Sequence, residues 1–252
     1  MKIKQFMLNE RSYGVQDLPD RVEIHDADLE VIQGVIDALK SKCGKYYRDA
    51  KKSGKVFYRG TYKVDWHVPI AEIAPRTDRR PKDTGKMLHD LIDDLLEKKF
   101  GWRPRSEGIF TSSHRGMVAG YGHTFSVWPI GAYKFVWSDD VRDMFNILRA
   151  ELKLASHEMN SNAVMMKVLQ DSGNQNKIKK IVDSFQDTDI KKAWGSGNEV
   201  VFKCNSYYLV NAHESKYASN ADMEDLTTVI EMAWEGKRIV SEESGKDVKL
   251  NV

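Results

Sequence analysis

Strand-like segments follow one another along this chain with only short turns between them, and that spacing excludes a regular βαβ array. Residues 107–112, 123–129 and 133–137 are rich in β-branched and aromatic side chains, and little more than a turn at 129–131 separates the last two. Segments 55–62 and 64–73 precede them, and 199–204 and 207–211 close the series. Parallel neighbours need a crossover of about a dozen residues or more, usually helical. The pattern therefore predicts an α+β fold, a mostly antiparallel sheet with helices grouped around it.

Apolar residues at helical spacing supply those helices. Ile32, Val35, Ile36 and Leu39 share a face after the acidic cap candidates Asp26 and Asp28. Leu88, Leu91, Ile92, Leu95 and Leu96 do so after Asp83-Thr84, and Val141, Met144, Phe145 and Leu148 after Ser138-Asp139. Ile178, Ile181, Val182 and Phe185 form a shorter stripe, and Leu226, Val229, Ile230 and Ala233 the last. With 252 residues, 41% of them hydrophobic, the chain is long enough to bury a core without staples. It is read as one domain over 1–252. Segment 156–189 is polar, with Gly173-Asn174-Gln175-Asn176 as a turn, and is expected to be a helical insertion or a mobile loop. Residues 241–252 are expected to form a flexible tail.

Composition narrows the function. Lys and Arg number 39 against 37 acidic residues, so a nucleic-acid partner needs a local patch rather than a polycation. Cys43 and Cys204 are the only cysteines, which excludes a disulfide framework and fits a reducing compartment. No tract approaches the roughly 20 apolar residues of a membrane span; the most apolar, 125–137, is broken by Pro129, Gly131 and Lys134. The expectation is a cytoplasmic protein, or one carried inside a particle, with no membrane partner. The chain lacks G-x-x-x-x-G-K-[ST], G-x-G-x-x-G and G-x-S-x-G, so phosphate-loop, dinucleotide-fold and serine-hydrolase readings fail. Without H-E-x-x-H or C-x-x-C no metal site is expected, and His157-Glu158 and His213-Glu214 read as isolated surface pairs.

Three segments carry chemistry. Val56-Phe57-Tyr58-Arg59-Gly60 is an apolar strand ending in arginine and glycine. Gly108-Ile109-Phe110-Thr111-Ser112-Ser113 is a strand ending in three hydroxyls, followed by Met117-Val118-Ala119-Gly120-Tyr121. Gly197-Asn198-Glu199-Val200 is a turn that sets a glutamate at the mouth of an apolar strand. In this order the chain resembles the Arg-Ser-Glu class of ADP-ribosyltransferases over the span from about Phe57 to Val210. The resemblance implies an ADP-ribosyltransferase-like fold, NAD as cosubstrate and a macromolecular acceptor. Short enzymes of this class are carried by bacterial viruses, which implies a bacteriophage source and host cytoplasm or virion as the place of action.

Breaking the nicotinamide–ribose bond passes through an oxocarbenium-like transition state, as in glycoside hydrolysis. Glu199 would stabilise that charge. Arg59 would hold phosphate or ribose oxygens with its planar fork. Thr111, in the place where the family carries serine, would join Ser112 and Ser113 in fixing the ribose. Gly60 would let backbone groups approach the nicotinamide amide, and Tyr121 would stack on its ring. Arginine-modifying members carry a second acidic or amide residue two positions before the glutamate. Here that position is Gly197, unless Asp187 or Asp189 substitutes. The acceptor stays open among proteins, nucleic acids and water. A cluster of Arg76, Arg79, Arg80 and Lys82, with Arg103 and Arg105, offers a phosphate-docking patch, with Arg80 assigned to the NAD pyrophosphate. The competing reading is a solvated face paired with Asp90, Asp93, Asp94 and Glu97. The alternative for the whole chain is a non-catalytic structural or nucleic-acid- or particle-associated binding protein.

Overall fold

The protein was analysed as a computed structural model that describes residues 18, 20–77, 79, 83–212 and 225–252. The expectations at Arg80, Lys82 and His213-Glu214 lie outside the described residues. The fold is α+β and mostly antiparallel. Its centre is an eight-stranded sheet in the order β3-β9-β5-β2-β4-β8-β6-β7, antiparallel at every pairing. Those strands are β2 (Phe57–Thr61), β3 (Ile70–Ile73), β4 (Ile109–Ser112), β5 (His123–Pro129), β6 (Tyr133–Ser138), β7 (Phe185–Gln186), β8 (Glu199–Cys204) and β9 (Tyr207–Asn211). Short turns join β5 to β6 and β8 to β9, yet neither pair is adjacent in the sheet. A smaller sheet pairs β1 (Arg21–Ile24) in parallel with β10 (Arg238–Ser241), and β10 with β11 (Asp247–Val248).

Helices cover the large sheet with two separate cores. One core joins Phe57, Phe125, Trp128, Val200 and Phe202 to α1 (Asp26–Lys42), α2 (Gly44–Ser53) and α10 (Leu226–Trp234). The other joins Val136 and Val201 to α3 (Lys86–Phe100), α6 (Met144–Leu152), α7 (Asn162–Gln170) and α8 (Ser172–Asp183). Alternation along β8 sends Val200 and Phe202 into the first core and Val201 into the second. Short helices α4 (Pro104–Glu107), α5 (Arg115–Val118) and α9 (Ile190–Ser196) flank the strand ends. The stripe expected on α1 is buried throughout; on α3 Leu88, Ile92 and Leu96 are buried and Leu91 and Leu95 half-buried, and on α10 Leu226, Val229 and Ile230 are buried and Ala233 half-buried.

Several expectations need correction. Segment 64–73 yields a strand only at Ile70–Ile73. Helix α2 was missed because lysines and an arginine dilute its apolar face, although Tyr46, Tyr47 and Ala50 are buried. The cap of α6 is Asp143, not Ser138-Asp139: its carboxylate accepts the Asn146 N–H at 2.8 Å, and Ser138 closes β6. Segment 156–189 is largely helical, and Met159, Met165, Ile178 and Val182 are buried in the second core. The 173–176 run lies inside α8, because Asp171 caps that helix through the Asn174 N–H. Residues 241–252 are not a loose tail. β11 pairs with β10, Leu250 is buried, and Asn251 exchanges hydrogen bonds with Gln33.

Candidate active site

The sheet order sets the three chemistry-bearing segments side by side. β2, β4 and β8 are neighbours, with Tyr58 opposite Ser112 and Ser112 opposite Glu199. Opposed residues on adjacent strands share a face. At about 4.8 Å per strand, the backbones of Tyr58 and Glu199 stand roughly 10 Å apart.

The turn before β8 holds Glu199 in place from three sides. Gly197 ends α9 with φ 70°, a conformation that glycine adopts freely. Its carbonyl accepts the Ser112 hydroxyl at 2.8 Å. The buried Asn198 amide donates to the Ser138 and Asp139 carbonyls at 2.9 and 3.0 Å. The Glu199 N–H donates to the Arg142 carbonyl at 3.0 Å. Ser112 also accepts the His114 N–H at 3.0 Å, so one hydroxyl ties the entry of α5 to the glutamate turn.

Burial pushes the Glu199 carboxyl up to about 7; the Arg105 charge opposes the rise, Asp143 adds to it and Arg79 again opposes it. Glu199 is nonetheless partly exposed. Asp143 is thus the second carboxylate of the site, a residue that sequence reasoning missed. It comes from the first turn of α6, carried there by the Glu199–Arg142 backbone bond. Asp187 and Asp189 are exposed, and Asp189 accepts the Lys192 N–H to cap α9.

Two arginines act on Glu199. Phe110 pairs with Val201 and is the diagonal neighbour of Glu199 on the same face, a spacing of roughly 7–8 Å. The Arg79 guanidinium lies 4.0 Å from the centre of the Phe110 ring and that of Arg105 lies 5.9 Å away. Arg59 is half-buried on β2; its charge acts on Arg79 and Tyr207 but is not among those that shift Glu199. Alternation along β2 sets Arg59 on the other face from Tyr58, Ser112 and Glu199, the face that Thr111 takes on β4.

The remaining candidates divide. Thr111 faces away from Glu199: its hydroxyl is buried and donates to the Val200 carbonyl at 2.8 Å, which removes it from any ligand. Ser112 points toward the glutamate turn, and Ser113 follows it at partial exposure. Tyr121 is 56% exposed, and burial, Asp143 and Glu199 together raise its hydroxyl. Gly60 serves packing. A Cβ there would strike the Val118 carbonyl and lie 3.1 Å from Tyr121 Cβ, so its missing side chain admits the α5 segment rather than a nicotinamide amide. The basic cluster also splits. Arg103 is tied to Asp93, Asp94 and Glu97 at 3.5, 2.8 and 3.1 Å, as the solvated-face reading expects, whereas Arg105 turns inward.

A buried ionic cluster gathers at Tyr58. Arg115 of α5 pairs with Asp225, approaches Glu231 at 3.6 Å and covers the Tyr58 ring at 4.6 Å. Tyr58 donates its hydroxyl to Glu231 at 3.1 Å. Burial raises Glu231 to about 7 even though Arg115 is near, because Asp225 is the leading partner of that arginine. The cluster anchors α5 to α10. Burial raises Cys43 and Cys204 to about 12, so neither thiol is a nucleophile. Among the described residues no group of three His, Cys, Asp or Glu side chains can hold a metal, and no helix is long and apolar enough to cross a membrane. Comparison with known protein families, with curated proteins and with solved structures returned no match.

Proposed function

We propose that this chain is an ADP-ribosyltransferase-like enzyme that transfers ADP-ribose from NAD to a macromolecular acceptor, protein or nucleic acid. The observation that carries the reading is the Tyr58–Ser112–Glu199 register, which sets the arginine, hydroxyl and glutamate strands side by side, with the charges of Arg79 and Arg105 acting on Glu199. NAD supplies an ADP-ribosyl group joined to a nicotinamide leaving group. Glu199 offers a carboxylate at a fixed point, and its hydrogen-bonded turn means that little reorganisation is needed as charge develops. A cationic group bound beside it favours loss of its proton near neutral pH. Ser112 is a positioning residue, since its hydroxyl holds the turn. The exposed Tyr121 ring provides a face for stacking. Asp143, whose charge acts on Glu199, would orient the incoming nucleophile, the task that Gly197 cannot perform.

The test is nicotinamide release from NAD, with and without added protein and nucleic-acid acceptors. Glu199→Gln is expected to lower turnover about 10²–10³-fold, the usual cost of removing a preorganised electrostatic group. Binding of ADP-ribose should change much less. Glu72→Gln, at an exposed position on β3, is the control and should leave turnover unchanged. If the wild-type protein releases no nicotinamide under any of these conditions, the enzyme reading fails and the binding-protein alternative takes its place.

A further inference from the structure

Arg79 and Arg105 are arginines with fixed backbones and uncommitted heads. The Arg79 N–H donates to the Ser106 carbonyl at 3.2 Å, and the Arg105 N–H donates to the buried Asp93 carboxylate at 2.8 Å. Asp93 also accepts the Ser106 N–H and hydroxyl, so this short stretch is anchored to α3. Each side chain then lies along the Phe110 ring. Among the described residues neither guanidinium has a carboxylate within 4.0 Å, and Arg79 Nη1 and Arg105 Nε are buried without a hydrogen-bond partner. The nearby carboxylates are otherwise engaged: Asp143 caps α6, and burial leaves Glu199 largely undissociated below about pH 7.

An unsatisfied buried guanidinium N–H costs about 1–3 kcal/mol or more. Two of them side by side add like-charge repulsion, and burial with the Arg59 and Arg105 charges holds Arg79 down at about 10. Native structures rarely leave such groups without a purpose. A doubly charged, multi-oxygen anion answers every unmet requirement, since planar forks match phosphate oxygens bidentately. We infer that Arg79 and Arg105, laid against Phe110, form an anion subsite for the diphosphate of a dinucleotide, in place of Arg59. The site itself stands on the arginine geometry; only the identity of the ligand as a dinucleotide rests on the reading proposed above.

The experiment is calorimetric titration with ADP-ribose, which has the diphosphate but no nicotinamide bond, and in parallel with inorganic pyrophosphate and a single-stranded oligonucleotide. Arg79→Gln and Arg105→Gln should each weaken ADP-ribose about tenfold or more, the loss of one charged hydrogen-bonding partner. Arg59→Gln should weaken it less than threefold, and Arg238→Gln, on β10, should leave it unchanged. Pyrophosphate should compete with ADP-ribose in the wild type. If a glutamine variant does not fold by circular dichroism, Arg79→Lys and Arg105→Lys replace it; they keep the charge but lose the fork, and should still weaken ADP-ribose. Equal affinity in the wild type and both arginine variants overturns the subsite, even if NAD turnover is observed. Tighter binding of the oligonucleotide than of ADP-ribose overturns the dinucleotide assignment. ADP-ribose binding that depends on both arginines, without nicotinamide release, keeps the subsite and removes the transferase reading.

Discussion

Burial pushes Glu199 and Glu231 up to about 7, because it penalises the charged carboxylate more than their arginines repay. Their ordinary value is 4.5, so the folded state binds more protons than the unfolded chain between about pH 4.5 and 7. Their contribution to stability is therefore greatest at the acid end and declines as pH rises through that window. Glu199→Gln removes one of these penalties. Its melting temperature should exceed that of the wild type at pH 8 and match it near pH 4.5; a pH-independent difference would mean that Glu199 ionises normally. Turnover should rise with pH through about 7 as the carboxylate forms. Asp143→Asn should lower transfer to an acceptor more than nicotinamide release into water, and equal losses would assign Asp143 to the glycosidic step instead. Gly60→Ala should destabilise by about 1–3 kcal/mol, since the new methyl meets backbone rather than a pliable side chain. Chemical denaturation measures it, and an unchanged midpoint would show that α5 yields.

At the scale of elements, the glutamate turn is where local structure and chemistry meet. Its Gly-Asn-Glu order was visible as a turn before a strand. The role of Asn198 was not, because its partners at Ser138 and Asp139 belong to a distant strand end. Asn198→Ala leaves the buried Ser138 carbonyl and the Asp139 carbonyl without this donor and should cost about 1–3 kcal/mol. If the turn preorganises Glu199, kcat should fall several-fold while KM for NAD stays close to its original value; a change in KM alone would mean that Asn198 only shapes binding. The helices divide in the same way. Apolar repeats reveal α1, α3 and α10, whereas α2 shows its buried tyrosines only once Trp128, Trp194 and Phe202 surround them.

For the whole molecule, chain ends and sheet order decide what the parts amount to. Deleting 243–252 removes β11, the buried Leu250 and the bonds from Asn251 to α1. A loss of about 2–3 kcal/mol should lower the melting temperature by roughly 4–12 °C, and an unaltered melt would restore the tail reading. Periodicity and turn residues were enough to read an α+β chain, most of its strands and the order arginine, hydroxyls, glutamate, because those signals are local: they depend on residues one to four positions apart. Which hydroxyl faces the glutamate was not local. Thr111 and Val200 are 89 residues apart, and their pairing turns Thr111 inward and Ser112 toward the site. Nor could spacing select Arg79 and Arg105 from six basic residues, since neither a loop nor a single helical turn has enough period to say which side chain points inward. Asp143 joined the site only through a backbone bond between the start of β8 and the approach to α6. Long-range strand register brought together candidate residues that the local pattern could only nominate.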